Sequence, residues 1–348
     1  MQLFRIYEII LLGIGGNIMK IAIVVDKSRA DYLPKDEGRQ EDGQSYRTME
    51  MIKEALSDEY DVTHMTMDFD IVKRLKKEKV DLVFNLCNGI RGEGRLLQLP
   101  AILEGAGIPY TGSDPLGHGL AYNKIISGKL FKASGIPTPD FICIEKLAQV
   151  DEIELNYPVI VKPKDEGSSR GIHDDCLILD KKSLKEKIGR LLKYYNPPIM
   201  VMEYIDGREF TVALLEDGKD LMVFPILEID LTGLPDGFNK IYSFEAKFQY
   251  ADYVKYHLPA RLEDGERKRI EEAAMKAFRT LGLRDYARVD IRLEGGIPYV
   301  IEVNSLPGLD REVSDICKMA DYIGMEYDQL IKTIVKQAIN RSKLLATA

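Results

Sequence analysis

The first hundred residues alternate between short apolar runs and amphipathic segments, which predicts an open α/β domain. Ile21–Asp26 and Asp61–Met65 are predicted strands, and Asp81–Asn85 contains a continuous apolar run of the kind found in parallel strands that helices cover on both faces. Between them, Ser45–Leu56 and Ile71–Glu78 carry apolar residues at helical spacing. Ligands of such a domain usually bind beyond the carboxyl ends of the strands.

The middle of the chain predicts a second unit that mixes helices and strands. Lys124–Ala133 is a predicted helix that stops at Gly135, where two nearby prolines prevent its continuation. Pro158–Pro163 and Met200–Ile205 are predicted strands, and Leu184–Leu192 between them carries a helical apolar stripe.

The last part of the chain predicts antiparallel hairpins. Glu209–Leu215 and Leu221–Ile229 flank an Asp-Gly turn signal, and Tyr286–Leu293 precedes Ile297–Asn304 across a Gly-Gly turn. Asp236–Lys255 is polar and aromatic without a clear period, so we expect a long functional loop there.

Together these patterns predict an α/β protein with three domains. We expect an N-terminal open parallel α/β domain at 19–122, a central α+β domain at 123–206, and a C-terminal α+β domain with an antiparallel sheet at 207–348. Residues 1–18 are expected to be an extension outside the fold. Their apolar run, Ile9–Ile14, is far shorter than the ~20 residues that span a membrane.

The composition indicates which kinds of molecule and metal the protein is expected to bind. The chain has 348 residues, with 48 Lys and Arg against 56 Asp and Glu, and a formal net charge of −8. This balance disfavours nucleic acid as the main partner, because the phosphate backbone attracts basic surfaces. The four cysteines and four histidines are scattered along the chain, so we expect a reduced, cytoplasmic protein without a zinc site.

The second hairpin of the C-terminal domain carries the most informative polar cluster. Arg288 and Asp290 lie on one strand and Glu302 and Asn304 on the other, each pair two residues apart and so on one face. Carboxylates and an amide suit Mg²⁺. A two-residue turn would put the acids on opposite faces, so we predict a three-residue loop, 295–297, with one glycine at positive φ. The alternative is a solvated hairpin face with incidental charges.

A second cluster suits the binding of phosphate. Lys162 ends a predicted strand, and the loop after it contains Glu166, Gly167, Ser168 and Ser169. Small residues and backbone N–H groups in such a loop can close over a polyphosphate, although no Walker A motif occurs. Lys124, on a nearby predicted helix, would supply a second cation. An ordinary turn is the alternative.

A third segment suits the binding of a nucleoside. A strand that leaves its sheet at a glycine exposes backbone groups that can read an adenine edge. The segment in question is Met202–Thr211, and Glu209 would then be available for a ribose hydroxyl. A plain strand–turn–strand is the alternative.

Taken in order, these segments resemble the D-alanine–D-alanine ligase family of the ATP-grasp superfamily, from Met19 to about Lys336. The segments that carry the resemblance are Val83-Phe84-Asn85 with Gly89 and Gly92-Glu93-Gly94, Ile108–Ser113, Val161-Lys162-Pro163 with Glu166–Ser169, Gly207–Thr211, Phe244–Lys247, Tyr286–Asp290 and Glu302–Gly308.

The resemblance implies an ATP-grasp fold with ATP between the central and C-terminal domains. Lys124 and Lys162 would hold phosphate oxygens, and the loop of residues 166–171 would cover them. Glu203, Tyr204 and Ile205 would face the adenine, mainly through their backbone groups. Asp290, Glu302 and Asn304 would bind two Mg²⁺ ions, with Mn²⁺ as a substitute.

The resemblance also implies a reaction. A substrate carboxylate would attack the γ-phosphate of ATP to form an acyl phosphate, and an amine would then displace phosphate. Arg288 and backbone N–H groups near Gly308 would stabilise the oxyanion, Lys247 would reach the γ-phosphate, and Ser169 would also belong to the catalytic set. Small amino-acid-like substrates and a homodimer formed through the N-terminal domain are further expectations.

The residues expected at the substrates depart from the family. The usual H-G-G-x-S segment is replaced by Asp26-Lys27-Ser28-Arg29, and the histidine before Gly89 is Asn88. Glu41 stands where the family's ammonium-binding glutamate is expected, upstream of the first helix. The tyrosine after the loop lysine is Phe248.

The segment after Gly308 departs as well. Leu309–Val313, with Arg311 at its centre, replaces a hydroxyl-rich stretch, and Ser314 lies one position away from the serine expected to hold a substrate carboxylate. We therefore predict a carboxylate–amine ligase with an altered substrate pocket. The alternatives are D-alanine–D-alanine ligation proper, a depsipeptide product, and a silent nucleotide-binding regulatory protein.

Overall fold

A computed structural model describes residues 18–28, 35–164, 172–195 and 197–347. The chain divides into two compact units. Unit 1 comprises residues 1–115, 216–220 and 308–348, and unit 2 comprises residues 116–215 and 221–307.

The described residues form parallel and antiparallel strands together with helices. The strands are β1 (Lys20–Val25), β2 (Asp61–Thr66), β3 (Leu82–Asn85), β4 (Phe141–Ile144), β5 (Val159–Pro163), β6 (Leu177–Ile178), β7 (Ile199–Glu203), β8 (Arg208–Asp217), β9 (Asp220–Val223), β10 (Leu227–Asp230), β11 (Lys255–His257), β12 (Tyr286–Glu294) and β13 (Ile297–Asn304). The α-helices are α1 (Lys35–Leu56), α2 (Ile71–Lys77), α3 (Gln98–Ala106), α4 (Pro115–Tyr122), α5 (Lys124–Ala133), α6 (Gln149–Glu152), α7 (Lys181–Leu191), α8 (Phe244–Phe248), α9 (Asp264–Thr280), α10 (Asp315–Tyr322) and α11 (Tyr327–Thr347).

Unit 1 contains the predicted parallel sheet, in the order β2-β1-β3. The central strand β1 is buried on both faces, because Ile21, Ala22, Ile23 and Val24 are all fully inaccessible. This burial explains the continuous apolar run in the sequence. The change of direction in strand order, from β2 on one side of β1 to β3 on the other, creates a crevice at their carboxyl ends.

Unit 2 contains two antiparallel sheets. One has the order β4-β7-β5-β6, and the other has the order β11-β10-β8-β12-β13 with β9 paired to β8. Helix α9 packs its apolar stripe, which includes Ile270, Ala274 and Phe278, against the second sheet. The mixed parallel and antiparallel α/β architecture is thus confirmed, with one sheet in each predicted domain. The boundaries at 122 and 206 remain predictions.

The hairpin of β12 and β13 has the predicted pairing, but the predicted loop is wrong. The turn contains two residues, Gly295 and Gly296, and both have positive φ. Glu294 pairs with Ile297 beside the turn, and a β-bulge at Ile301 then shifts the register by one residue. The Ile301 side chain packs against an apolar cluster that includes Ile125 and Met202. Neither of these two residues belongs to the hairpin. The bulge, and not a longer loop, therefore brings Glu302 opposite Asp290.

Two other elements differ from the predictions. Helix α1 begins at Lys35 rather than at Ser45, because residues 35–44 are mostly polar helix formers without the apolar spacing that we used as the signal. The expected loop 236–255 contains the short helix α8 and a 3₁₀ turn at Ala251–Tyr253. Among the described residues, none of the helices combines the length and apolar character that a membrane crossing requires.

Candidate active site

The four polar residues of the β12–β13 hairpin lie together on one face of unit 2. Asp290 stands opposite Glu302, and Arg288 stands opposite Asn304. Directly opposed residues in an antiparallel pair point to the same side of the sheet, so the bulge keeps all four side chains together. This is the arrangement that the sequence predicted.

Asp290 is the centre of this cluster. Its Oδ1 accepts hydrogen bonds from Arg288 Nε at 2.9 Å and Thr211 Oγ1 at 2.6 Å. Its Oδ2 accepts from Arg288 Nη2 and Asn304 Nδ2, both at 2.9 Å. Burial acts to raise the pKa of Asp290, but the charge and hydrogen bonds of Arg288 and the Thr211 hydroxyl lower it overall. Asp290 is therefore an ionised carboxylate that holds the Arg288 guanidinium in a fixed plane.

Two lysines bring positive charge to the same region. Lys124 begins helix α5, where Asn123 Oδ1 accepts from the N–H groups of the first turn, and its Nζ lies 3.5 Å from Glu302 Oε2. Lys162 lies on β5 with 2% of its surface exposed. Burial lowers the pKa of Lys162 to about 8, with Glu302 opposing that effect and Lys124 adding to it. Two buried ammonium groups beside carboxylates are suited to an anionic ligand.

The predicted nucleoside segment connects the two sheets of unit 2. Strand β7 ends at Glu203, and β8 begins at Arg208 in the other sheet. Gly207 is required at the crossing, because a Cβ there would lie 2.1 Å from the Leu293 carbonyl oxygen. The Gly207 N–H donates to the Ile205 carbonyl at 3.0 Å. This geometry matches the predicted departure of a strand at a glycine.

Arg292 fixes the side chains around that crossing. Its guanidinium lies over the Tyr204 ring, 4.9 Å from the centroid, and Nη2 donates to the Gly207 carbonyl at 3.1 Å. Its Nε lies 3.8 Å from Glu209 Oε2. Burial raises the pKa of Glu209, against the opposing charge of Arg292. Arg292 therefore holds both the Tyr204 and the Glu209 side chains in place.

Lys247 lies on the short helix α8. Its Nζ lies 5.4 Å from the centroid of the Phe248 ring, and its positive charge is one of the influences that lower the pKa of Asp290. The ring of Phe248 in turn lies 4.8 Å from that of Phe244. The described residues of unit 2 therefore bring Lys247 into the electrostatic range of the hairpin cluster.

Other predicted substrate residues belong to unit 1. Asn88 follows β3, and Asp26, just after β1, accepts from Asn88 N at 3.0 Å and from Asn88 Nδ2 at 2.9 Å. The other Asp26 oxygen accepts from Gly89 N at 2.9 Å and Cys87 Sγ at 3.1 Å. Glu41 lies inside helix α1, so the expectation that it precedes the first helix is wrong.

The segment after β13 is also ordered within unit 1. Arg311 is exposed, with its guanidinium 5.7 Å from the centroid of the Tyr327 ring. Ser314 precedes helix α10, and a Cβ at Gly308 would lie 2.9 Å from its Oγ. Between them Asp310 is fully buried and accepts from Arg47 Nε at 2.7 Å. A side chain at Gly308 would therefore displace the Ser314 hydroxyl.

The predicted phosphate loop is a different case. Glu166, Gly167, Ser168 and Ser169 lie outside the described residues. Their assigned roles remain predictions.

Three residues that our sequence reasoning did not assign belong to these clusters. Thr211 sits opposite Asp290 on the neighbouring strand β8, and Arg292 lies two residues beyond Asp290 on the same face. The face rule that selected Asp290 would have selected Arg292 too. No local signal in the sequence indicates that Asn88 is hydrogen-bonded to Asp26.

The donor set of the hairpin is compatible with Mg²⁺. Glu302 supplies carboxylate oxygens, and Asn304 uses its Nδ2 on Asp290, which leaves Oδ1 as its acceptor. Each Asp290 oxygen accepts two hydrogen bonds, so Asp290 would give up one of these bonds to bind the ion. In the described part of the chain, no three His, Cys, Asp or Glu side chains are grouped so that they could hold a metal ion by themselves. Mg²⁺ commonly takes one or two carboxylates and completes its shell with phosphate oxygens and water, so the set fits.

Comparisons with known proteins agree with this geometry. A family profile described as D-ala D-ala ligase C-terminus matches residues 130–336. An uncharacterised protein of Sinorhizobium fredii is 38% identical over 261 residues, which cover 75% of this chain and 75% of the relative. A D-alanine–D-alanine ligase of Marinomonas sp. is 36% identical over 283 residues, which cover 80% of this chain and 84% of the relative.

A solved structure shows the same fold. The crystal structure of D-alanine–D-alanine ligase from Bacillus anthracis complexed with ATP has a TM-score of 0.74 and 26% identity, and the match covers 94% of this chain and 99% of that one. Members of this family use ATP, Mg²⁺ and small amino-acid substrates. The chain belongs to the D-alanine–D-alanine ligase family and is an ATP-grasp ligase that forms a C–N bond.

Proposed function

We propose that this protein joins a carboxylate to an amine through an acyl phosphate, with a substrate pocket that differs from that of D-alanine–D-alanine ligase proper. The observation that carries the proposal is the link between Asp26 and Asn88. Both residues depart from the family, and they are hydrogen-bonded to each other at the carboxyl ends of β1 and β3. Such ends are where open α/β sheets bind ligands.

The Asp26–Asn88 link determines which hydrogen-bonding groups remain for a ligand at the carboxyl ends of β1 and β3. Asp26 accepts four hydrogen bonds, two on each oxygen, so its capacity is used within the protein. The Asn88 amide gives its Nδ2 to Asp26 and keeps Oδ1 as an acceptor. A histidine at this position could become positively charged, whereas Asn88 cannot. Sites that hydrogen-bond their ligands discriminate strongly through the groups they present, so we expect a different preference for one substrate.

The phosphate-handling residues of unit 2 support turnover by the same chemistry as the family. Lys124 and Lys162 would hold phosphate oxygens, and Asp290, Glu302 and Asn304 would hold Mg²⁺, which neutralises phosphate charge when bound. We propose two such ions, with Mn²⁺ as a substitute.

Arg288 would act at the acyl centre. Its guanidinium is fixed by two bonds to Asp290, so it is oriented before an oxyanion forms beside it. A donor oriented in this way typically contributes about 3–4 kcal/mol to transition-state stabilisation.

A second candidate is D-alanine–D-alanine ligation proper. The relative from Marinomonas sp., 36% identical over most of both chains, carries that name. A depsipeptide product is a further variant, because Phe248 lacks the hydroxyl that the family places there to influence the nucleophile.

Release of phosphate from ATP and Mg²⁺ with pooled D- and L-amino acids tests these candidates. Release that requires a substrate other than D-alanine, with a C–N product identified by mass spectrometry, is the expected result. Release with D-alanine alone, at the rate of the best pool, would favour the second candidate. No release above background with any pool would contradict the proposed reaction.

Two associated expectations also stay predictions. We expect a homodimer formed through the N-terminal domain, which light scattering of the full chain would detect. We expect a cytoplasmic location, which cell fractionation would test.

A further inference from the structure

Residues 172–176, which we call the platform, are fastened to helix α7. Lys187 on that helix makes an ion pair with Asp175 Oδ1, and Arg190 Nη2 donates to Asp175 Oδ2 at 2.6 Å. Cys176, at the end of the platform, is fully buried. An anchored backbone with a buried end is a fixed surface on which another segment can be positioned.

The start of helix α8 lies on this platform. Glu245 Oε1 is 2.8 Å from His173 Nδ1, and Glu245 Oε2 accepts from the Asp174 N–H at 3.0 Å. The Phe244 N–H donates to the Ile172 carbonyl at 2.8 Å. One carboxylate therefore bridges two successive residues of the platform while the backbone adds a third bond.

The contact between His173 and Glu245 is charge-assisted. Burial acts to raise the pKa of Glu245, but the hydrogen bond from His173 is the first of several interactions that lower it overall. Glu245 is therefore ionised, and His173 Nδ1–H is the donor. The His173 ring also meets the Phe244 ring, with centroids 5.7 Å apart.

The segment before α8 has its own tie to the platform. The Asn239 N–H donates to Asp174 Oδ1 at 2.8 Å, and Asn239 Nδ2 donates to the Asp174 carbonyl at 2.9 Å. Residues 239–245 are thus held at both ends. Within the helix itself, the Phe244 N–H and the Glu245 carboxylate make the attachments to the platform.

Lys247 follows Glu245 within the same helical turn. The Lys247 N–H donates to the Ser243 carbonyl at 3.0 Å, and Ser243 Oγ accepts from the Ala246 N–H at 3.1 Å. Ser243 has 1% of its surface exposed. A five-residue helix is too short to be stable alone, so its position depends on such tertiary ties. The place of the Lys247 backbone is therefore set by the residues that hold Glu245 and Ser243.

We infer that His173 is a positioning residue for Lys247: through Glu245 it fixes α8 on the platform and keeps the Lys247 ammonium within electrostatic reach of Asp290. The inference rests on the proposed role of Lys247 at the γ-phosphate. The His173 side chain is 39% exposed, so it contributes little to the apolar core. Its effect should therefore appear in the handling of the γ-phosphate rather than in global stability.

Two substitutions at His173 separate the hydrogen bond from the bulk of the side chain. Asparagine places an amide nitrogen near the position of Nδ1, whereas glutamine places one near the position of Nε2. His173→Asn should retain the bond to Glu245, and His173→Gln should lose it. Both variants keep a polar side chain at a partly exposed position, so both should fold.

The measurement is the affinity of the full chain, with Mg²⁺, for the β,γ-imido analogue of ATP and for ADP, by calorimetry without turnover. Lys247→Met should weaken binding of the triphosphate about tenfold and leave ADP unchanged, because a hydrogen bond to a charged group is lost. His173→Gln should weaken binding of the triphosphate by about three- to tenfold, and His173→Asn by less than about twofold. Combined with Lys247→Met, His173→Gln should cause no further loss.

The possible outcomes distinguish the role of Lys247 at the γ-phosphate from the role of His173 in positioning it. If the wild type does not prefer the triphosphate, or Lys247→Met leaves that preference intact, the proposed role of Lys247 fails and this inference fails with it. If Lys247→Met abolishes the preference but His173→Gln does not, the role of Lys247 stands and the inference about His173 is overturned. Equal losses from His173→Gln with and without Lys247 would also overturn it, because His173 would then act by another route.

Discussion

The carboxylate of Asp26 holds both the backbone N–H and the side-chain amide of Asn88, at 3.0 and 2.9 Å. The bond joins the end of β1 to the residues that follow β3. Because the two strands are neighbours in the sheet, the Asp26 side chain reaches from one strand end to the other and fixes the orientation of the Asn88 amide.

Replacement of Asp26 by Asn should destabilise unit 1. Asp26 accepts four hydrogen bonds, and an asparagine amide would turn an N–H₂ group towards at least one of these donors. We expect a loss of about 1–3 kcal/mol in the free energy of unfolding, measured with urea. The control is Asp70→Asn, an exposed carboxylate whose side chain does not cap its helix. Equal stability of the two variants would show that the Asp26 bonds contribute nothing measurable.

The buried ammonium of Lys162 predicts a pH dependence of nucleotide binding. Burial lowers its pKa to about 8, so the free protein loses this positive charge as the pH rises through that value. A bound phosphate favours the charged form, so affinity should fall above about pH 8, by up to roughly tenfold per pH unit. Calorimetry with the β,γ-imido analogue of ATP between about pH 6.5 and 9.5 measures this. In Lys162→Arg, which stays charged, the decline should vanish; the same decline in both proteins would assign it to another group.

Replacement of Glu302 by Gln should abolish turnover without unfolding the protein. The change removes one of two carboxylates on the hairpin face and the partner of Lys124 at 3.5 Å, while it keeps the side-chain shape. We expect phosphate release to fall by about a thousandfold, with the thermal unfolding midpoint changed by only a few degrees. Glu294→Gln, on the same hairpin near the turn, is the matched control because its oxygen can still accept from Asp206 N. Normal rates in Glu302→Gln would remove the metal assignment.

The lowered pKa of Glu228 predicts that the free energy of unfolding decreases in acid. It is 2% exposed, and although burial acts to raise its pKa, hydrogen bonds from Arg261 and Arg208 lower it to about 2. A carboxylate with a lowered pKa stabilises the fold above its ordinary value of 4.5, and this contribution is lost as the pH falls from there towards 2. Glu228→Gln should therefore lose about 2 kcal/mol at neutral pH, a figure that allows for the partly exposed arginines, and should show a flatter decline in acid.

Urea unfolding at a series of pH values measures this contribution. Glu272→Gln is the control, because Glu272 is 59% exposed and its contact with Lys268 spans 3.9 Å. Parallel pH profiles for wild type and Glu228→Gln would contradict the prediction.

How far the sequence predicted the fold depends on how locally each element is determined. Strand β1 was predictable because its apolar residues are buried on both faces. Residues 35–44 of helix α1 were missed because a segment of mostly polar residues carries no apolar period. Helix α8 was missed because its position depends on a carboxylate contact with His173, which lies 72 residues earlier in the chain.

The same distinction applies to the site. Arg288, Asp290, Glu302 and Asn304 were predictable because alternation along a strand fixes the face of each residue. The link from Asp26 to Asn88 was not, because it joins residues separated by 62 positions without a shared pattern.

The bulge at Ile301 has a consequence for any change in the length of the hairpin. With a two-residue turn and regular pairing throughout, Ile301 would stand opposite Asp290, and Glu302 would stand opposite Val289 and face away from Asp290. Ile301 thus corrects the parity of the strand, and its deletion would leave a regular ribbon in which Glu302 still opposes Asp290. A residue inserted or removed between the turn and Val300, in contrast, would need either a second irregularity or the loss of this bulge to keep both acids on one side.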